Sequence, residues 1–313
     1  MDISIIVSTY NRSHNLPDCI QHLAAQENAE HFQWETLIVD NNSTDNTKLV
    51  AEKLQQDYAI NIRYLFEPNQ GLSFARNCGT RESSAEFVIF IDDDIRVKPN
   101  WLASIYNRFI SEKCDAVGGR IYVESPEDLP KWITPDMYGF LGHRDFGDQS
   151  FQMNGRDEFP FGGNMCVRRD MTDAIGGFDT RMGRKGEGSK REELFKGEET
   201  KFFHQLTDKK GVIWYEPNAI VLHKILPYQL KKKFFRTLHF NAGVQNALSD
   251  NQVFKRTFQG IPLFVFSQIF QAFFKYISLY ITSGSNNAFR QQMNIGYFLG
   301  QVLGYNTRYK QTN

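Results

Sequence analysis

Along the first two thirds of the chain, short β-branched apolar runs alternate with stretches of helical spacing. Residues 3–10 (ISIIVSTY) predict a buried strand, and Leu16, Cys19, Ile20 and Leu23 then share one face of a helix within 16–26. Residues 36–39 predict a second strand that ends in Asp40. Asn42-Ser43-Thr44-Asp45 follows as a loop that offers an N-cap to a helix through 49–54. Residues 62–66 predict a third strand, stopped by Pro68 and Gly71, and residues 72–83 a helix. Residues 87–91 predict a fourth strand that runs straight into Asp92-Asp93-Asp94. Pro99 opens the next helix, and residues 116–123 predict a fifth strand.

Beyond that point the pattern loosens. Residues 124–160 carry Pro126, Pro130 and Pro135 with several glycines and aromatics, and predict long loops. Residues 181–197 are glycine-rich and charged, either a solvated loop or a lid that orders over bound substrate. Residues 212–215 and 220–222 predict two late strands. After His223, Lys231-Lys232-Lys233 begins a basic helical stretch. Residues 261–281 are apolar except for Ser267, Gln268, Gln271, Lys275 and Ser278, whose spacing puts them on one helix face. That segment fits a core helix, a helix lying in a membrane plane or a span; the stripe and Lys275 count against a span.

Strand and helix alternating through short connections predict an α/β fold, a mostly parallel open sheet with helices on both faces. A helical segment follows, so two parts are expected, residues 1–223 and 224–313. In such sheets ligands sit at the carboxyl ends of the strands, where both Asp40 and Asp92–Asp94 fall.

The formal net charge of zero hides an asymmetry. Residues 224–313 hold eleven Lys and Arg and a single acid, Asp250, so the front of the chain is net −10 and the tail +10. A basic, aromatic tail makes an anionic membrane surface a candidate partner. Nucleic acid is not expected, because no RNA- or DNA-reading motif accompanies those charges. Cys19, Cys78, Cys114 and Cys166 are far apart without a C-x-x-C pair, which argues against a zinc ribbon or a disulfide scaffold. With no secretory leader pattern at Met1–Ile5, the expectation is a cytoplasmic protein, peripheral on the cytoplasmic membrane face.

Three adjacent acids at the end of an apolar strand repel one another unless a cation or hydrogen-bond donors offset them. A hard divalent ion, magnesium or manganese, suits such carboxylates, with substrate phosphates completing its shell. The triplet has company: Ser8-Thr9-Tyr10-Asn11-Arg12 follows the first strand, Val39-Asp40-Asn41-Asn42-Ser43-Thr44-Asp45 the second, and Asn69-Gln70-Gly71-Leu72-Ser73-Phe74-Ala75-Arg76-Asn77 the third. Gly162-Gly163-Asn164, Gly197-Glu198-Glu199 and His223 come later. In this order the set resembles the family 2 glycosyltransferases of the GT-A fold, over residues 1–223.

The resemblance implies transfer of a sugar from a nucleotide-diphosphate-sugar, a UDP-sugar being favoured, to a carbohydrate or lipid-linked hydroxyl acceptor with inversion. It implies that Thr9, Tyr10, Arg12, Asp40, Asn42, Gly71, Arg76, Asp92 and Asp93 serve the donor, with Arg76 near the phosphates. It further implies that Gly162, Gly163 and Asn164 approach sugar or acceptor, and that Asp94, with Asp92 and His223, holds Mn2+ or Mg2+. Glu199 is the expected catalytic base and Glu198 the second candidate, because the family usually has Asp where Glu199 stands. A nucleotidyltransferase is the nearest rival, but Ser8–Arg12 lacks the glycine-rich phosphate loop expected of one. A catalytically silent membrane-associated scaffold is the non-enzymatic alternative.

Overall fold

The computed structural model describes residues 1–186, 191–194, 196–250 and 252–312. They form two compact units. The first takes in residues 1–126, 138–186 and 196–225, the second residues 127–137, 191–194 and 226–312. The chain therefore changes unit close to the expected boundary after 223, but the proline-bearing stretch 127–137 belongs with the tail.

The first unit is built on one sheet. Its elements are β1 (Ile3–Thr9), α1 (Leu16–Ala24), β2 (Trp34–Asp40), α2 (Thr47–Asp57), β3 (Ile62–Phe66), α3 (Leu72–Glu82), β4 (Phe87–Asp92), β5 (Ile95–Val97), α4 (Trp101–Glu112), β6 (Ala116–Glu124), β7 (Phe151–Met153), β8 (Met165–Arg168), α5 (Arg169–Ala174), α6 (Glu198–Asp208) and β9 (Ile213–Lys224). The strand order is β3-β2-β1-β4-β8-β6-β9-β5, with β7 also on β9. The β3-β2-β1-β4 half is parallel, as is β6 with β9, while β8, β5 and β7 pair antiparallel. Strands β1 and β2 are buried almost throughout, as expected of strands covered on both faces. On one side Leu16, Cys19, Ile20 and Leu23 of α1 meet Ile3, Ile5 and Val7. On the other, Ala75 and Cys78 of α3 meet Ile6, Leu37 and Val39.

Three short strands, β5, β7 and β8, are additions to the sequence expectation. β8 lies antiparallel between β4 and β6, and β7 lies within the predicted loop 124–160. The two predicted late strands are one, β9. Its pairing with β6 shifts register between Gly119 and Arg120, opposite Glu216 and Ile220. Pro217 falls in that step, where a missing backbone N–H is tolerated.

The second unit contains α7 (Lys232–Ser249), the hairpin β10 (Thr257–Phe258) and β11 (Ile261–Pro262), and α8 (Leu263–Thr312). α8 is interrupted at Gly284, whose φ of 81° and ψ of 172° are not helical. Val265 packs in one cluster with Tyr305, and a Cβ on Gly260 would lie 2.4 Å from Cβ of Tyr309. An unbroken helix would hold residues 265 and 305 roughly 60 Å apart. The two arms, 263–283 and 285–312, thus fold back on each other. α7 runs alongside the second arm at very short range: a Cβ on Gly300 would sit 2.1 Å from the Phe240 carbonyl oxygen, and one on Gly243 1.9 Å from that of Tyr297. Glycine is required on both sides of this crossing. Trp132 joins the unit edge-on to Phe235 and Phe289.

Candidate active site

Register brings the carboxyl ends of β1, β2 and β4 to one rim: Thr9 pairs with Asp40, and Ser8 with Asp92. Asp40 is buried. It accepts hydrogen bonds from the Ser43 backbone N–H and the Tyr64 hydroxyl, both at 2.9 Å. Burial and that carboxylate push the Tyr64 phenol far above its ordinary pKa. The neighbouring Asn41, which the sequence reading passed over, accepts from Gly71 N–H at 2.6 Å and donates to the Asn69 carbonyl at 2.7 Å. It locks the loop before α3 to the end of β2. Asn42 is exposed with a left-handed φ of 66°, Tyr10 is half-buried, and Gly71 has a φ of 143°.

The three aspartates have different surroundings. Asp93 is buried and accepts from Thr9 Oγ1 at 2.7 Å, from Asn15 Nδ2 at 3.2 Å and from Arg12 at 3.4 Å. Burial and the adjacent Asp94 raise its pKa to about 6, against the pull of Arg12. Thr9 and Arg12, expected at the donor, hold the acids of the rim through these hydrogen bonds. Asp94 is also buried; one carboxylate oxygen takes the Arg12 guanidinium at 2.9 Å. The other, Oδ1, has no hydrogen-bond partner and lies 3.5 Å from His223 Nε2. Burial opposes ionisation of Asp94, but the His223 imidazole and Arg12 hold it well below the usual carboxylate range. His223 reaches this position because β9 pairs with β5, setting His223 opposite Ile95. Its Nδ1 bonds the Leu141 carbonyl at 2.7 Å, which turns Nε2 toward Asp94. Burial disfavours a charged imidazole, yet Asp94 raises the His223 pKa.

Asp92 is about a third exposed and looks the other way, toward Arg76. Arg76 is 1% exposed. Its guanidinium lies 3.2 Å from Glu198, 3.3 Å from Glu199 and 3.9 Å from Asp92. Arg76, expected near the phosphates, is a buried bridge between β4 and the start of α6. Glu198 is the deeper acid, with Oε2 buried and unpartnered; Glu199 is the more open, with about a quarter of its side chain exposed. Burial and Glu198 raise the Glu199 pKa to about 7, against Arg76 and Lys196. A carboxyl titrating there is matched to proton abstraction near neutrality.

Gly162 lies directly over this pair. A Cβ there would fall 1.9 Å from Glu199 Oε1 and 2.3 Å from an Arg76 nitrogen, so any larger residue must displace these side-chain ends. Gly163 packs on Ile95. Asn164, expected to touch sugar or acceptor, is buried. It donates to the Arg120 and Ala219 carbonyls and accepts from Trp101 Nε1. Its amide fastens the loop to β6 and β9, which holds Gly162 in place.

The predicted lid, 181–197, includes 187–190 and 195, which lie outside the described residues. Its first part is pinned to α3: Leu72 N–H donates to the Arg184 carbonyl, Ser73 Oγ to that of Met182, and Asn77 brackets Phe178. Arg184 is a residue that sequence reasoning missed. It is half-buried, its Nε has no hydrogen-bond partner, and its charge acts on both Asp92 and Asp94. Among the described residues, no group of three or more His, Cys, Asp and Glu is arranged to hold a metal ion.

Comparison with known proteins agrees with this construction. The model of "Glycosyl transferase family 2" matches residues 4–176. The succinoglycan biosynthesis protein ExoM of Rhizobium meliloti is 26% identical over 72% of this chain and 68% of its own length. The glucosyl-dolichyl phosphate glucuronosyltransferase of Haloferax volcanii is 24% identical over 73% and 71%. The crystal structure of S. aureus TarS 1-349 in complex with UDP-GlcNAc superposes with a TM-score of 0.57 and 14% identity, covering 100% of this chain and 93% of that one. The sheet order, the acidic rim and the match over more than half of the sequence lead to one conclusion: this chain belongs to glycosyl transferase family 2, with a GT-A fold, and is a glycosyltransferase.

Proposed function

We propose that the chain transfers a sugar from a UDP-sugar to a hydroxyl of a carbohydrate or lipid-linked acceptor, with inversion, using Mn2+ or Mg2+. The observation that carries the reading is Glu199. It is a partly open carboxyl with a pKa of about 7, paired with the Arg76 guanidinium that also faces Asp92, and packed under Gly162.

The chain's own residues divide the work. Asp40 and the Asn41-braced loop at Gly71 form the nucleotide end, where a carboxylate can accept from the imide N–H of uracil. Glu199 takes the proton of the acceptor O–H as that oxygen bonds to the anomeric carbon. The bond from that carbon to the diphosphate oxygen breaks, and the nucleoside diphosphate leaves from the opposite face. Arg184 adds positive charge that acts on Asp92 and Asp94, where the diphosphate's negative charge grows. Glu198 and Arg76 position Glu199.

The donor set fits a divalent ion. Asp94 Oδ1 is buried without a hydrogen-bond partner, and His223 Nε2 faces it at 3.5 Å with Nδ1 already tied to a carbonyl. With only these two protein ligands, phosphate oxygens would complete the shell. A divalent ion so held would neutralise charge on the leaving diphosphate. UDP-GlcNAc in the TarS complex and the lipid-phosphate acceptor named for the Haloferax protein are the comparisons that favour a UDP-sugar and a lipid-linked acceptor.

The test is a thermal-shift panel of nucleotide-sugars with and without Mn2+, followed by product analysis. Stabilisation by one UDP-sugar that rises with Mn2+, and a β-linked product from an α-linked donor, are expected. Full transfer in excess chelator would remove the metal from this account, and a retained anomeric configuration would remove single displacement.

A further inference from the structure

The first arm of α8, residues 263–283, has three distinct faces. At 100° per residue, Val265, Ile269 and Ala272 form the inner face, and Val265 and Ile269 pack with Phe298, Val302 and Tyr305 of the second arm. Ser267, Gln271, Lys275 and Ser278 form a polar stripe beside it and are exposed. The remaining arc is apolar and open: Phe270, Phe273, Phe274, Ile277, Tyr280 and Ile281 are all exposed, Phe274 by 67% and Ile281 by 77%. The core-helix reading of this segment therefore fails, because only 11% of its most apolar window is buried. So much contiguous apolar surface needs an occupant.

The charge around it indicates which. Residues 224–313 contain one acid, Asp250, and it is engaged: Tyr305 Oη donates to its carboxylate at 2.5 Å. The charges left on the surface of these helices are basic. Lys255 and Arg256 are exposed where the β10–β11 hairpin leads into this arm, beside exposed Val253 and Phe258, and Lys275 lies along the polar stripe. An apolar arc with Lys255 and Arg256 exposed at its approach is complementary to a surface with hydrocarbon below and negative charge above.

We infer that residues 253–283 are a membrane-docking surface: the first arm of α8 lies in the plane of an anionic bilayer, with its phenylalanine arc in the acyl chains and Lys255 and Arg256 on lipid phosphates. The arm does not span, since its inner face is committed to the second arm and a polar stripe with Lys275 runs from Ser267 to Ser278. This inference is independent of the sugar chemistry.

The experiment is flotation of the full chain with vesicles of phosphatidylcholine and phosphatidylglycerol, compared with phosphatidylcholine alone. Binding at least tenfold stronger to the anionic vesicles, release by alkaline carbonate, and at least tenfold loss in both Phe270→Ser/Phe273→Ser/Phe274→Ser and Lys255→Gln/Arg256→Gln are expected. Circular dichroism melts check that the variants fold. A Phe274→Trp chain gives an independent readout, its added indole emission shifting to the blue on addition of anionic vesicles. Equal binding to neutral vesicles, retention after carbonate, or an unshifted emission from the Phe274→Trp chain would each overturn the inference. So would lipid-free self-association without flotation, which would make a second copy the occupant.

Discussion

In the sheet unit, charge is inside: Arg76, Asp93, Asp94 and Glu198 are each at most 5% exposed. In the helical unit, apolar side chains are outside: Phe270, Phe274 and Ile281 are each more than 60% exposed. Each unit departs from the usual distribution of polar and apolar residues, and in opposite directions. The buried charges are crowded, mutually paired and arranged at strand ends, and they leave chosen oxygens unpartnered. The exposed apolar residues are aligned on one arc, with Lys255 and Arg256 exposed at its approach. A buried ion-pair network costs desolvation and is weak evidence of stability alone, so its concentration at one rim argues for chemistry. An apolar arc on a surface argues for an interface.

The largest expected effect that would break this contrast is at the rim. Glu199→Gln keeps the shape and loses the base; turnover is expected to fall roughly 10³-fold while donor binding by calorimetry is kept. Near-normal turnover would clear Glu199. Next is Gly162→Ala, whose Cβ has no room beside Glu199 Oε1. Displacement of the carboxylate by a fraction of an ångström or more should cost about 10²-fold in kcat with an unchanged melting temperature. The matching change in the helical unit is Gly300→Ala, which drives a methyl into the Phe240 carbonyl. It should destabilise that unit by about 1–3 kcal/mol in denaturant melts and leave kcat alone. The smallest effect is Arg184→Met, expected to raise the donor KM about tenfold through a lost charge near the diphosphate. If KM does not move, Arg184 only pins the segment to α3.

How much of this was legible in sequence follows from how local each cause is. β1, β2 and β4 are buried and largely apolar, and β2 and β4 end in Asp40 and Asp92, so the rim could be read directly. β5, β7 and β8 are three or four residues long and exist through antiparallel pairing with distant strands, which leaves little local pattern. The same holds for roles. That Arg76 pairs with Glu198 and Glu199 depends on α6 arriving from more than a hundred residues later. That Asn164 is wholly engaged depends on Trp101 and β9. Arg184 carries no motif; it is placed by its backbone carbonyl. The turn at Gly284 could be suspected from Ser283-Gly284-Ser285, but the fold-back shows only in the packing of Val265 with Tyr305.

The central claim is that Glu199 is the base, poised by burial beside Glu198. Its carboxyl works only when ionised, and with a pKa near 7 the ionised fraction falls as pH drops below that value. The pH profile of kcat/KM for the intact enzyme is therefore expected to rise tenfold per unit up to about pH 7 and then level, and that limb should vanish in the residual activity of Glu199→Gln. A profile flat from pH 5 to 8, or an unchanged limb in the variant, would contradict the account.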